Sequence, residues 1–384
     1  MGPRFSIAVL LLLIAGPVMG GSGSADSEMA PFADDGVDES SNAWAFLTDA
    51  RPRLDTSFGT LWANGVFLSE SSLAGKLEHD QWDLGFTVGH NRIELDYDPE
   101  IFGSPFQVRE DTLLFSLDSR MTLADGWNVI VSGSHYDGYS DYRSLWISEY
   151  YEQLFGEVPG YQDPSPQGYS GSVGVEWQYI PVMGKIRMSA GYGRDTIAPA
   201  YDFGENGLES GRPRLYSKNV RLQADNVINK RMAVQNTIQY SDTTNREVRW
   251  SYQGSLNWAI RDSLTLRAYL GGAKEEPRFE AAFVGATLEY ALTDSWFARI
   301  SGRYYTDTGE IENSLGGFNS SAPALDAFQI GAGLRWEGAS SAVNLFLAFY
   351  DTSYNSLSED NAFLKNLYRD RQWGILQLSY TRQF

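Results

Sequence analysis

Residues 373–384 read WGILQLSYTRQF. In an extended strand successive side chains point to opposite faces, so Leu376, Leu378, Tyr380 and Phe384 share one face. Ile375, Gln377, Ser379, Thr381 and Gln383 share the other. A strand at the end of a chain with one apolar face needs something to cover that face. Arg382 is the one polar residue in the apolar row.

The same alternation recurs upstream. Val248, Trp250, Tyr252, Leu256, Trp258 and Ile260 oppose Arg249, Ser251, Gln253, Ser255 and Asn257. Ala282, Val284, Ala286, Leu288, Tyr290 and Leu292 oppose Thr287 and Glu289, and Phe328, Ile330, Leu334 and Trp336 oppose Gln329, Arg335 and Glu337. Short polar turns separate such segments at Asp125-Gly126, 181–184, Asn229-Lys230, Asp262-Ser263, Asp294-Ser295 and 338–340, while the connections at the opposite ends are long. Segments of about ten residues suit tilted strands crossing a bilayer. Short turns on one side and long loops on the other suit an up-and-down barrel. Trp127, Trp177, Trp258 and Trp296 fall beside the short turns, and Tyr139, Tyr192, Tyr240, Tyr304 and Trp373 near the long loops, as two interfacial girdles would require.

At the amino end, Arg4 precedes an apolar run over 7–15 and small residues before Gly21, the pattern of a secretory signal peptide. The expected organisation is a signal peptide over 1–20, an acidic disordered leader over 21–50 and a barrel over 51–384. The 384-residue chain has no cysteine, 38 glycines, 14% aromatic residues and a net charge of -19. That charge argues against nucleic acid as a partner. The missing cysteines exclude thiolate metal sites and cysteine nucleophiles.

Together these features resemble Gram-negative outer-membrane β-barrel proteins, porin-like in class, whose closing strand ends in Phe. The resemblance implies an all-β, transmembrane antiparallel barrel in the bacterial outer membrane. Tyr380 and Phe384 would be the signal read by the barrel-assembly machinery, and lipid and lipopolysaccharide would surround the wall. Counting segments from 81 onward gives about fourteen strands, with 12 or 16 as alternatives. The apolar face switches from Trp82, Leu84, Phe86 and Val88 to Ile93, Leu95 and Tyr97, which predicts a bulge over 89–91. Residues 51–70 are apolar but poorly periodic, so a strand pair or a segment packed at the periplasmic mouth both fit.

The parity of each strand predicts a lumen rich in arginine: Arg92, Arg120, Arg187, Arg221, Arg249, Arg267, Arg299, Arg303 and Arg335. Among them stand Asp83, Glu94, Asp96, Asp118, Glu176, Asp225, Glu289 and Glu337. Such a ladder serves either a salt-bridged, closed interior or a wet pore that orients polar solutes. The favoured reading is a passive channel for small solutes, with a closed structural or surface-interaction barrel second and a hydrolase third. Ser134 and His135 are adjacent in a strand, so they point apart and form no dyad. No cofactor or metal site is expected, and catalysis is not.

Two loop segments carry helical spacing, 144–155 and 358–369. If the first folds into the mouth, Glu149 and Glu152 would oppose Arg299 and Arg303 across the opening. Otherwise those arginines would pair with wall acids such as Glu289. The terminal pattern gives one direct test. Deleting Phe384 is expected to lower the amount of folded protein in the outer membrane, and Arg382→Tyr to keep or raise it, as read by heat-modifiable gel mobility. Equal levels on deletion would remove the role assigned to the terminus.

Overall fold

The computed structural model describes residues 53–79, 82–97, 106–139, 142–161, 166–196, 200–204, 207–211, 214–244, 247–276, 279–309, 323–354 and 368–383. The expected signal peptide, leader, second loop helix and Phe384 lie outside them.

The described chain is a closed antiparallel barrel of sixteen strands, two more than the main count and equal to its upper alternative. The strands are β1 (Arg53–Ala63), β2 (Val66–His79), β3 (Trp82–Tyr97), β4 (Phe106–Ala124), β5 (Trp127–Asp137), β6 (Gln167–Ile180) and β7 (Gly184–Thr196). After a separate small hairpin, β8 (Ala200–Gly204) and β9 (Gly207–Gly211), the wall continues with β10 (Arg214–Asn229), β11 (Met232–Thr243), β12 (Arg249–Arg261) and β13 (Leu264–Glu275). It ends with β14 (Phe279–Ala291), β15 (Trp296–Asp307), β16 (Leu325–Glu337), β17 (Ser341–Tyr354) and β18 (Arg371–Gln383). Each wall strand pairs with its neighbours in order, and β18 closes on β1 from Arg53↔Gln383 to Trp62↔Gly374. One helix, α1 (Tyr142–Phe155), follows β5 and coincides with the first predicted loop helix.

The two additional strands come from the segment without clear period. Asn64-Gly65 turns the chain between β1 and β2, with Gly65 at φ 75°. Asn-Gly is the strongest short hairpin signal, but its flanking segments lack a clear period of two and read only as an apolar stretch.

The expected bulge does not form. Ser71↔His90 and Ser72↔Gly89 continue one unbroken ladder, and β3 pairs with β4 without a shift. Odd-numbered residues of β3 therefore face inward throughout. Ile93 and Leu95 are buried at 2% and 0% exposure inside the barrel, and Arg92, Glu94 and Asp96 face outward, contrary to the predicted lumen. There Arg92 Nε meets Asp111 Oδ1 at 2.9 Å, His90 Nε2 meets Asp111 Oδ1 at 3.1 Å, and Gln107 Nε2 donates to Asp96 at 2.8 Å. Charges of this density do not sit in hydrocarbon, so the outer ends of β3 and β4 project beyond the membrane.

Below that level the exterior is apolar. Leu113, Leu117, Val131, Val173, Met188, Leu222, Ile238, Leu270, Ile300, Ile330, Leu347 and Leu378 all stand exposed on the outer face. Aromatic residues border this belt. Trp127 stacks on Trp177 at 5.6 Å near the short turns, and Tyr240 meets Trp250 edge-on at 5.1 Å near the long loops. Tyr139 and Trp373, expected in the outer girdle, are instead buried inside.

One turn residue is strained. Val182, in the turn between β6 and β7, has a φ of 66°, a left-handed conformation that costs a residue bearing a Cβ about 1–2 kcal/mol. Val182→Gly removes most of that cost against a smaller entropic loss. A net gain of roughly 0.5–1 kcal/mol is expected, seen as a raised urea midpoint of the folded barrel in detergent. A midpoint that falls would contradict it.

Candidate functional site

Inside the barrel the two halves of the wall differ in chemistry. At the outer mouth, Leu61, Val66, Leu68, Ile93, Leu95, Tyr305, Leu325, Tyr350, Trp373 and Ile375 turn inward and form one buried apolar cluster. Helix α1 completes it with Leu145 at 0% and Trp146 at 3% exposure. The loop after β5 therefore folds into the mouth. Its entry is fixed at Gly138, whose φ of 116° suits glycine and whose added Cβ would lie 2.5 Å from Thr112 Oγ1. Thr112 donates to the Tyr139 carbonyl at 2.6 Å, and the Tyr139 hydroxyl donates to Ser148 Oγ of the helix at 2.6 Å.

Across the barrel, from β5 to β12, the inner face carries small polar residues. Ser132 pairs with Ser172 and Ser134 with Ser170 through hydroxyls at 2.7 and 2.8 Å. Ser241 follows Gln239 on the same inner face, and His135 points the other way to Gly168 O at 2.9 Å. Ser134 and His135 are thus apart, as the sequence reading required.

The arginines take up two levels. Arg249 meets Glu275 at 2.8 Å at the outer ends of β12 and β13, both side chains 7% exposed. Arg335 bridges Glu289 and Glu337 at 2.9 Å each, near the short turns. Glu289 thus has a wall arginine as partner. Arg299 sits in register with Glu289 near the same end, Arg303 lies further up β15 in register with Gly285 and Gln329, and Arg267 is opposite Asn257 and Thr287. Glu149 and Glu152 belong to the other end. They act on Tyr139 and, for Glu152, on Glu110 of the outer end of β4. Strand position, rather than a shared opening, separates them from Arg299.

Sequence reading missed what carries these cations. Arg249 lies over the ring of Phe279 at 4.6 Å, Arg299 over Phe346 at 4.7 Å, Arg335 over Phe297 at 4.6 Å and Arg303 over Tyr350 at 5.4 Å. Each contact is worth about 0.5–2 kcal/mol and holds a long side chain flat on the wall. Phe346 can lie flat because Gly331 is beneath it, where a Cβ would stand 2.2 Å from the ring. The inward parity of the four rings was the available signal.

A second polar centre lies on the opposite wall. Glu176 is 1% exposed and receives Arg120 at 2.6 Å, Arg187 at 2.9 Å, Lys185 at 3.6 Å and Asn128 Nδ2 at 3.2 Å. Lys185 continues to Asp225 at 3.4 Å. One carboxylate thus ties β4, β5, β6 and β7 together, which stiffens the wall. Among the described residues no group of three or more acids or histidines is placed to hold a metal.

No protein-family model and no curated protein matches the chain. Solved structures do. A bacterial polysaccharide outer membrane secretin is 9% identical with a TM-score of 0.50 over 88% of this chain and 100% of that one. CdiB from Acinetobacter baumannii is 10% identical with a TM-score of 0.51 over 86% of this chain and 60% of that one. The toluene transporter TodX of Pseudomonas putida is 10% identical with a TM-score of 0.44 over 100% and 99%. At these identities the likeness is one of fold.

The docked loop gives a pH test. Burial, then Asp111 and then Glu152, raise the Glu110 carboxyl above its ordinary value. The docked state therefore binds more protons than the undocked one, so docking strengthens as pH falls through the raised value and weakens above it. Glu110→Gln is expected to slow amide exchange over 142–155 at neutral pH and to flatten its acid dependence. An unchanged pH profile in the variant would contradict this account. By its closed wall and apolar exterior, the chain is an outer-membrane-type β-barrel.

Proposed function

We propose that the barrel is a passive channel for small polar solutes, running along the hydrophilic wall from β5 to β13 and narrowed at the outer mouth by the infolded loop. The observation that carries this reading is the division of the interior: apolar packing is confined to the mouth on the β14–β3 side, and the facing wall presents hydroxyls, amides and arginines. Sixteen strands enclose more than side chains alone would fill. Arginines held flat on rings keep their charge at the wall without crossing the lumen. Arg249, Arg299 and Arg335 are buried and Arg303 is part-exposed, so in this reading Arg303 biases the ions that pass, with Arg299 lower on the same strand.

A second reading has its own support. The buried cluster containing Leu145 and Trp146 has the packing of a plug, and a barrel closed by it would act through its surface instead. Planar bilayers separate the two. Purified barrel is expected to give discrete ohmic steps, and a folded but silent protein would favour the plug. Arg299→Ser with Arg303→Ser is expected to move selectivity toward cations. Identical reversal potentials in a salt gradient would rule out a role for these arginines in selectivity.

A further inference from the structure

Above its apolar belt, the outer face of the wall carries different charges on its two sides. From β14 to β18 the polar outward residues near the long loops include Glu280, Asp326, Asp351 and Gln372, and the Tyr304 hydroxyl donates to Asp326 at 2.7 Å. No lysine or arginine of those strands points outward at that level. From β6 to β10 the opposite holds. Three rows of outward residues cross β6, β7 and β10 in register. The uppermost is Tyr169, Arg194 and Tyr216, the next Gly171, Tyr192 and Lys218, and the third Val173, Ala190 and Val220. The third row continues into Tyr240 and Trp250 of the outer girdle. Arg194 and Lys218 therefore stand just above the hydrocarbon, at the depth of lipid headgroups.

The other outward cations of this rim are already matched by acids. Arg92 meets Asp111 at 2.9 Å, Arg109 meets Glu94 at 3.8 Å, and Lys274 meets Glu276 and Glu280 at 2.9 and 3.1 Å. Arg194 instead lies over the ring of Tyr169 at 5.9 Å, beside Tyr192 and Tyr216, whose rings are 6.1 Å apart. Lys218 is exposed, and among the described residues no carboxylate lies within ion-pair distance of either cation. The acid nearest in register is Asp242, on the side of Lys218 away from Arg194. Neighbouring strands are about 4.8 Å apart and two residues rise about 6.8 Å, so the backbones of Arg194 and Lys218 are roughly 8 Å apart. Two long cationic side chains at that spacing can converge on one phosphate.

The surface below them is apolar and stepped. Gly171 and its register partner Gly133 on β5 put no side chain into it, and a Cβ at either would meet only a backbone carbonyl, at 3.5 and 3.6 Å. Val131, Val173 and Ala190 are exposed around these glycines. The step is two strands wide, roughly 5 Å between their axes, the width of an acyl chain.

We propose that this face binds a phosphorylated glycolipid of the outer leaflet, of the lipopolysaccharide type. Arg194 and Lys218 share one headgroup phosphate, for which the guanidinium fork is suited. The tyrosine hydroxyls meet the sugar, and an acyl chain lies over Gly133 and Gly171. A phosphate bound at the edge of the apolar belt carries its chains directly onto that belt, whereas inorganic phosphate gains nothing from the step. The inference is independent of the channel reading and requires only the outer-membrane location.

The test uses the folded barrel, stripped of lipid in detergent and titrated with diphosphoryl lipid A, with its dephosphorylated form and with inorganic phosphate. Bound lipid is counted by native mass spectrometry. Diphosphoryl lipid A is expected to bind about tenfold more tightly than the dephosphorylated form, the increment of one charge-assisted hydrogen bond. Arg194→Gln with Lys218→Gln should abolish that difference, and Asp242→Asn should widen it. Gly171→Ile, which fills the step, should weaken both lipids. Lys274→Gln, at a cation already paired, should change neither, and heat-modifiable gel mobility checks that each variant is folded. Equal affinity for diphosphoryl lipid A in wild type and the double variant would overturn the proposal, as would an equal loss in Lys274→Gln. Inorganic phosphate displacing the lipid at comparable concentration would make this a free-anion site and overturn the lipid assignment.

Discussion

Hydrocarbon offers backbone amides and carbonyls no partner, so a sheet in a membrane must close on itself. Everything else in this chain depends on the seam between β1 and β18. It is a regular ladder from Arg53↔Gln383 to Trp62↔Gly374, and its outer end shows how closely it is fitted. A Cβ at Gly374 would stand 2.3 Å from the indole of Trp62. The glycine lets the ring of one edge strand lie over the other, covering the join with apolar surface. The terminal sequence that first reveals the barrel is thus the strand that completes it.

Closure creates an inside, and this inside is unlike the lumen that simple alternation describes. Where the inner face is polar the period of two is clear, as in β12. Where they line the buried cluster at the mouth, both faces are apolar and the signal fades. That is why β1 and β2 were legible only as an apolar stretch, and why β3 suggested a bulge. Ile93 and Leu95 turn inward because Leu61, Leu68 and the α1 residues Leu145 and Trp146 cover them. Arg92, Glu94 and Asp96 turn outward because the wall has already left the membrane. The polarity of the two faces inverts, and the backbone does not shift.

The candidate site was legible in a similarly uneven way. Arginines in alternating strands have few places to go other than the lumen, and Arg249, Arg267, Arg299, Arg303 and Arg335 all point there. Their partners were harder to read, since a partner is set by the register between strands that sequence alone does not supply. Glu176 was placed on the inner wall but not at the meeting point of Arg120, Lys185 and Arg187. The aromatic shelves under four arginines were missed because Phe and Tyr in a membrane barrel are first assigned to its girdles. Tyr139 and Trp373 were misplaced for the same reason.

These arrangements have one consequence for where the long charged side chains lie. An arginine lying on Phe279, Phe297, Phe346 or Tyr350 stays near the wall. The Glu176 centre holds three more cations against β6 and β7. Both devices keep long charged side chains from crossing the lumen, even though the mouth above is partly filled. Three of the four arginine–ring pairs lie on β15 to β17, so this restraint acts on the same side of the wall as the mouth cluster, while the Glu176 centre acts on the other.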